Sequence, residues 1–587
     1  FPECFAEVKL DIDKLLSLCG EYIDNDFEKY KFEWKGKAEC LRLAQKRSTG
    51  TLRPCPEESV NWDTTKNLYI EGDNLEVLKL LQTAYYRRVK MIYIDPPYNT
   101  GNDFVYEDDF ADPLARYKEV TQQTTKSNPE TMGRYHTNWL NMMYPRLRLA
   151  ANLLRDDGVI FISIDDNEVT NLRKICDEVF GEENFVGNYI KQSKVGGGSD
   201  SKYIVKEHEF CICYAKSLNQ LPEMYIEHDK NYLKRYNEED EKGKFFWDTF
   251  ARPGLKNPII YDIVAPDGTI INNGWIHSKQ RFEEEYKNGE VRITKKPNGE
   301  WSVQFKQYLN ENGKKPRSMT MNFGGTVEGK NEITDLFSNN KIFSYPKSTF
   351  FINELIKTIS NYENDDIILD FFSGSATTAH AVMQLNAEDG GNRQFIMVQL
   401  PEVCDQKSEA YKAGYQNICE IGKERIRRAG KKILEADNQM TLENKKQLDI
   451  GFKVFKLDSS NLKTWDNTPV TAEQMDLLYE RMNHMIHRVK SDRSDLDMVC
   501  EIMLKLGIPL TYSITAVEIN GKTAYSIGDD CLLLICLAPD VQPEDVEQMA
   551  EYAPAKLIVS RESFVDDTAM ANAHYILKDH GVELKLV

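Results

Sequence analysis

Between residues 67 and 190 short apolar runs alternate with amphipathic stretches. NLYIEGD ends a short strand and NLEVLKLLQTAYY has helical spacing. VKMIYID is apolar almost throughout, as a strand buried on both faces of a parallel sheet must be. HTNWLNMMYPRLRLAANLLRDDG reads as one amphipathic helix ending at Gly158, and VIFISID as the next buried strand. The alternation returns at 341, with a helix in INELIKTISN, a strand in DIILDFF, a helix in TTAHAVMQLN and a strand in RQFIMVQLPE. A basic helix follows over 415–436.

Between these stretches the rhythm breaks. SKVGGGSDSK is rich in Gly and Ser, and beyond it strand-like pieces are separated by the turn signals APDGT, INNGW and KPNGE. Residues 1–66 show helical spacing in LDIDKLLSLC and KAECLRLAQKR around a turn-rich GTLRPCPEES. The tail carries CLLLICLA, AKLIVS and VELKLV with helices between, a small α/β domain of its own. Neither α/β half supplies a full doubly wound sheet. The economical expectation is one mixed, mostly parallel sheet built from both, with the insert as a separate lobe. The expected domains are 1–66 (helical and irregular), 67–190 (first half of the core), 191–340 (insert), 341–440 (second half) and 441–587 (C-terminal α/β).

With 587 residues, 41% of them hydrophobic, the chain can bury several cores. It has no apolar run of the ~18 residues that span a bilayer. FPECFAEVKL lacks a signal-peptide layout, and the start at Phe1 rather than Met suggests that a few residues were trimmed. The expectation is a soluble, cytoplasmic, membrane-free protein. Of the twelve cysteines, the close pairs Cys211/Cys213 and Cys531/Cys536 lack the second pair of a zinc site, so free thiols and no metal are expected.

The net charge of −19 taken alone speaks against a nucleic-acid partner, because phosphates must be met by cations. The distribution changes that reading. Lys279, Arg281, Lys287, Arg292, Lys295, Lys296, Lys306, Lys314, Lys315 and Arg317 concentrate in the insert. Lys423, Arg425, Arg427, Arg428, Lys431 and Lys432 form a second cluster, while acids gather near the N-terminus, in 107–119 and in the C-terminal third. A solvated surface is the plain alternative for both basic clusters.

Asp95-Pro96-Pro97-Tyr98-Asn99-Thr100-Gly101 directly follows VKMIYI. Ligands of open α/β sheets bind at such carboxyl ends of strands. A carboxylate (Asp95) and the next backbone carbonyl (Pro96) can accept both N–H groups of an exocyclic ring amine, freeing a lone pair otherwise delocalised into the ring. Pro96 and Pro97 stiffen the loop, and Tyr98 offers a flat face for a base swung out of a duplex. The alternative is an ordinary turn. Downstream, Asp370-Phe371-Phe372-Ser373-Gly374-Ser375-Ala376-Thr377-Thr378 joins a strand to a helix. Small residues let a ligand approach the backbone there, although any Gly-containing β–α turn looks similar. Glu402 ends the next strand, where an acid holds ribose hydroxyls or is simply a surface acid. Asp73, in EGDNLEVL, accepts from a cofactor's adenine amine or caps the following helix.

DPPYNTG followed far downstream by DFFSGSATTAHAV resembles the permuted (beta-class) amino-methyltransferases, whose target-recognition region lies between these motifs. STGTLRPCPEESVNWDTTKNLYIEGDNLEVLKLLQ, NRQFIMVQLPE, EIGKERIRRAGKKI and GFKVFKLDSSN extend the resemblance to the modification (Mod) subunits of bacterial type III restriction–modification systems. The resemblance implies a Rossmann-like methyltransferase fold, S-adenosylmethionine as cofactor with S-adenosylhomocysteine as product, and a flipped adenine of double-stranded DNA as target. It also implies a homodimer at the bacterial nucleoid, and a separate restriction (Res) subunit with ATPase and nuclease activities. The chain shows no GxxxxGK[ST], so cleavage falls to that partner.

By the same resemblance Asp95, Pro96, Pro97 and Tyr98 hold the target adenine. Phe372, Ser373, Gly374 and Ser375 line the cofactor pocket beside Asp95. Glu402 holds the ribose, Asp73 the cofactor adenine and Lys347, in FSYPKST, the methionine carboxylate. Separately, the basic and aromatic content of the insert leads to the expectation that Lys279, Arg281, Lys295, Lys296, Lys314, Lys315 and Arg317 contact DNA. Asp at the first motif position suits adenine. The rivals are N4-cytosine methylation, an orphan epigenetic enzyme without a restriction partner, a catalytically silent DNA-binding subunit, and an RNA or protein amide methyltransferase. One departure stands out: the family's Phe-Gly-Gly turn ends here in Ala376 rather than Gly. The single methyl group is tolerable if Ala376 has negative φ, so cofactor binding is expected to survive the departure.

Overall fold

The computed structural model describes residues 5–6, 9–10, 31–100, 129–194, 202–252, 254, 257–320, 324–360, 364–436, 448–463, 465, 468, 475–485 and 488–587. Gly101, the acidic stretch 107–119, most of LDIDKLLSLC and the Gly/Ser-rich 195–201 lie outside them. The chain divides into two compact units, Phe1–Pro222 with Arg317–Val587, and Glu223–Pro316.

In the larger unit ten strands form one sheet in the order Met319–Thr320, Phe185–Gln192, His208–Ala215, Leu154–Ile164, Val89–Ile94, Ile367–Asp370, Gln394–Gln399, Leu68–Glu71, Lys453–Ser459, Gly50–Pro54. The run from Leu154–Ile164 to Lys453–Ser459 is parallel throughout. His208–Ala215 and Gly50–Pro54 join antiparallel. The expected mixed, mostly parallel sheet built from both halves is what forms. All six residues of Val89–Ile94 are buried, which is why that strand reads as an unbroken apolar run. The parallel pairing brings the carboxyl ends of Val89–Ile94, Ile367–Asp370 and Gln394–Gln399 to one edge.

Several elements differ from the sequence reading. The helix is Pro129–Leu153, and a strand begins at Leu154 instead of the helix running to Gly158. Leu154 pairs with Val89, and Arg155 forms ion pairs with Asp157 and Asp366. Pro145 lies inside the helix, where it cannot donate to Asn141; the buried Cys40 thiol meets that carbonyl at 3.6 Å. His208–Ala215 and Met319–Thr320 belong to the large sheet, so the separate unit is narrower than 191–340. Lys453–Ser459 joins the same sheet. The rest of the C-terminal region builds a five-stranded sheet over its own apolar cluster around Leu534, Val546, Met549, Leu557 and Leu577. Nine of the ten described cysteines are buried. No helix among the described residues is long and apolar enough to cross a membrane.

The unit Glu223–Pro316 holds a four-stranded antiparallel sheet (Val291–Lys295, Trp301–Tyr308, Gly243–Thr249, Glu238–Asp240), the hairpin Ile259–Val264/Ile270–Trp275 and the helix Lys279–Lys287. Phe250, Trp275, Phe282, Val291 and Val303 form its core. APDGT and KPNGE connect paired strands, as read. INNGW does not turn: it lies within Ile270–Trp275, where Asn272 bonds across the hairpin to Asp262 at 2.5 Å.

Candidate functional site

The loop after Val89–Ile94 is pinned from two helices. The buried Trp139 indole donates to the Pro97 carbonyl at 2.7 Å. Asn99, at φ 54°, donates to the Glu168 carboxylate and reaches the Tyr135 carbonyl at 3.4 Å. Glu168 is itself buried and held by His136 and by Asn171, the latter at 2.8 Å. Among the described residues no donor reaches the Pro96 carbonyl. The loop therefore spends the carbonyl at 97 on its scaffold and leaves the one at 96, beside Asp95, available.

Lys347 crosses to this loop. Its ammonium donates to the Tyr98 hydroxyl at 2.6 Å and to Glu209 at 2.9 Å, and lies 3.2 Å from the Asp95 carboxylate. It also sits 4.9 Å from the centre of the Tyr98 ring. Burial raises the Asp95 pKa, and the Lys347 charge opposes that rise without cancelling it. Burial works against the charge on Lys347, yet the Asp95 and Glu209 carboxylates outweigh it and hold that pKa above the ordinary value. Lys191, buried on the neighbouring strand, is pushed down to about 8 by burial and then by Lys347. The ammonium of Lys347, to which the resemblance gives a cofactor carboxylate, is held here by Asp95, Tyr98 and Glu209. Its backbone does adjoin the second loop, since Thr377 donates to the Lys347 carbonyl at 3.4 Å.

That second loop follows Ile367–Asp370, the strand beside Val89–Ile94. Asp370 accepts from the Phe372 N–H at 3.1 Å and from the Thr378 hydroxyl at 2.6 Å, and burial pushes its pKa up to about 7. Asn74 donates to the Phe371 carbonyl at 2.6 Å, and Gln399 accepts from the Gly374 N–H at 2.7 Å. Gly374 has φ 50° and Ala376 has φ 61°. The negative φ under which the Ala376 methyl group would be tolerable is therefore not the one adopted. Ala376 is the N-cap of Thr377–Asp389 in the left-handed region, which an L-residue enters at a cost of roughly 1–2 kcal/mol.

The Ser373 hydroxyl is buried beside the Tyr69 phenol and forms no well-aligned hydrogen bond among the described residues. Glu402 lies just beyond the next strand, and burial raises its pKa. A buried hydroxyl, a partly desolvated carboxyl and a turn of small residues fit a nucleoside-type ligand. Asp73 takes its capping alternative: it accepts from the Leu75 and Glu76 N–H groups at 2.9 and 3.2 Å and pairs with Arg146 at 3.0 Å.

The second basic cluster is divided: its first members are buried and paired internally, while Lys431 and Lys432 stay exposed. Lys423 is buried against Glu58 and Glu71. Arg425, fully buried, bonds Ser375, Thr377 and Glu332. Arg427 and Arg428 pair with Glu424, Lys431 with Glu435 and Lys432 with Asp335. In the insert Arg281 pairs with Glu285, Lys296 with Glu300 and Lys315 with Glu223. Among the described residues Lys279, Lys295, Lys314 and Arg317 form no ion pair.

Glu209, Lys191, Glu332 and Arg425 were not singled out for this site. HEFCICYA carries nothing that marks Glu209. Arg425 did leave a signal: it falls on the buried stripe of its helix, four residues after Ile421 and four before Ala429.

Residues 89–429 match the family described as DNA methylase. The chain is 36% identical over 478 residues to the type III restriction-modification enzyme StyLTI Mod subunit of Salmonella typhimurium, covering 77% of this chain and 70% of that one. It is 32% identical to the EcoP15I Mod subunit of Escherichia coli, covering 81% of each. It is 29% identical to the type II methyltransferase M.KpnI of Klebsiella pneumoniae, covering 61% of this chain and 86% of that one.

Proposed function

The chain belongs to the DNA methylase family, and we propose that it transfers a methyl group from S-adenosylmethionine to N6 of an adenine extruded from double-stranded DNA, as the modification and recognition subunit of a type III system. The observation that carries this reading is the parallel pairing of Ile367–Asp370 with Val89–Ile94, which sets the 371–376 turn and the 95–98 loop at one edge of the sheet.

Bound S-adenosylmethionine supplies an electrophilic sulfonium methyl. Ser373, Gly374, Ser375 and Glu402 are the residues that would hold it, and the buried Ser373 hydroxyl and the raised Glu402 pKa fit that part. Phe372 lines the same turn. Asp95 and the unengaged Pro96 carbonyl accept the two N–H groups of the target amine, leaving its lone pair free. Tyr98 gives the extruded base a stacking face, and Trp139 fixes the loop that carries it. Lys347 opposes protonation of Asp95, which favours its part as an acceptor. The proton shed by the methylated amine has that same carboxylate as its nearest acceptor.

In this reading the unit Glu223–Pro316 contacts DNA, the chain acts as a homodimer in the bacterial cytoplasm, and cleavage belongs to a Res partner. Asp95→Ala is the decisive variant: methyl transfer should vanish while S-adenosylmethionine binding stays measurable. Digesting the wild-type product to nucleosides should yield N6-methyladenine. Near-normal turnover in Asp95→Ala, or N4-methylcytosine in the digest, contradicts the proposal.

A further inference from the structure

We propose that Arg425 is a positioning residue of the methyl-donor pocket, clamping the 373–377 turn in the left-handed geometry that Ala376 would otherwise leave. The inference rests on the cofactor reading given above. Ala376 has φ 61° and ψ 40° and is fully buried. A strained backbone of this kind persists only where its surroundings over-determine it. Here the surroundings can be named. One guanidinium donates to the side chains on both sides of the strained residue, the Ser375 hydroxyl at 2.9 Å and the Thr377 hydroxyl at 2.6 Å. Both bonds leave one nitrogen, Nη1, so a single donor ties position i−1 to position i+1, and Nη2, bonded to Glu332, holds the guanidinium plane that aims it.

The clamp is anchored in turn. Arg425 also donates to Glu332 at 2.9 Å, its one ion-pair partner among the described residues. Glu332 accepts from the Thr349 N–H at 2.9 Å and from the Ser348 hydroxyl at 2.9 Å, at the start of Thr349–Ile359 and directly after Lys347. The same buried ion pair therefore locates the donor turn and the backbone from which Lys347 reaches Asp95. Burial lowers the Arg425 pKa to about 10 despite Glu332, yet the group stays cationic at neutral pH, and three acceptors face it. A helix-stabilising role alone would not require two of those acceptors to flank the one left-handed residue of the turn that carries a side-chain carbon.

The test is a double-mutant cycle in the full-length chain between Arg425→Met and Ala376→Gly, read as S-adenosylmethionine affinity by calorimetry. Glycine takes the left-handed conformation without strain, so it should make the clamp partly dispensable. Arg425→Met should weaken binding by about tenfold in the Ala376 chain and by at least about threefold less in the Ala376→Gly chain, the size of coupling seen between residues of one network. Should Arg425→Met fail to fold, Arg425→Lys keeps a cation but loses the second nitrogen that bonds Glu332 and aims the first, and it should show the same non-additivity. Thr377→Val, which removes one of the gripped hydroxyls, should reproduce part of the loss. Equal losses in both backgrounds, or unweakened binding in a folded Arg425 variant, overturn the clamp while leaving the pocket in place. Failure of the wild-type chain to bind S-adenosylmethionine overturns the pocket and the clamp together.

Discussion

Lys347 and Tyr98, 249 residues apart, meet at 2.6 Å, the ammonium donating to the phenol while it also flanks the Asp95 carboxylate. A lysine from the segment that borders the donor turn is thus part of the acceptor loop, which gives the two halves of the site a shared charge.

Removing that charge should move a pH profile. In the proposed reaction Asp95 acts as an ionised acceptor, burial raises its pKa, and Lys347 restrains the rise. Without Lys347 the pKa climbs further, so activity should be lost at a higher pH as the solution is acidified. In Lys347→Met the acidic limb of kcat should shift upward by roughly one pH unit or more. An unmoved limb with a reduced rate would show that Lys347 contributes something other than its charge.

Asp370 should make stability fall with rising pH. Its folded pKa, pushed up to about 7 from 3.8 by burial, means that the folded chain keeps a proton that the unfolded chain has shed. Its contribution is complete below the unfolded value and is lost as pH rises through the folded one, with a limiting slope of about 1.4 kcal/mol per pH unit. Asp370→Asn should therefore gain stability relative to wild type between roughly pH 4 and pH 7. Denaturant titrations at several pH values would reveal it, and a constant difference across that window would place the Asp370 titration elsewhere.

In the insert, cations without an internal ion pair should matter more to DNA than those already neutralised. Lys295→Ala and Lys314→Ala should each flatten the plot of log affinity against log salt by about 0.9, the effect of one lost phosphate contact. Arg281→Ala and Lys315→Ala, whose side chains pair with Glu285 and Glu223, should change it less. Identical slopes in all four variants would remove the internal pairing from the account.

The sequence made the site's edge legible because both motifs end buried parallel strands, and VKMIYI and DIILD can hardly be placed elsewhere than in the middle of a sheet. The interleaving of the two halves followed from counting strands. Other features turned on long-range partners that spacing does not encode. The φ of Ala376 depends on a guanidinium some fifty residues later, and Lys347 could be assigned a partner only once HEFCICYA was seen beside Leu154–Ile164. INNGW looked like a turn because Asn-Gly usually is one, whereas pairing with Ile259–Val264 holds it extended. The basic run 423–432 looked external because charge was weighed without helical phase; three of its members are gripped by Glu58, Glu71 and Glu332.

The strand order also sets a schedule for synthesis. Ile367–Asp370 and Gln394–Gln399 wedge between Val89–Ile94 and Leu68–Glu71, which the ribosome releases some three hundred residues earlier. A nascent chain that has emerged only through its insert owns the acceptor loop and lacks the donor turn. Premature termination anywhere before about residue 400 would leave a fragment unable to modify DNA, so competence arrives in a single step, late in translation.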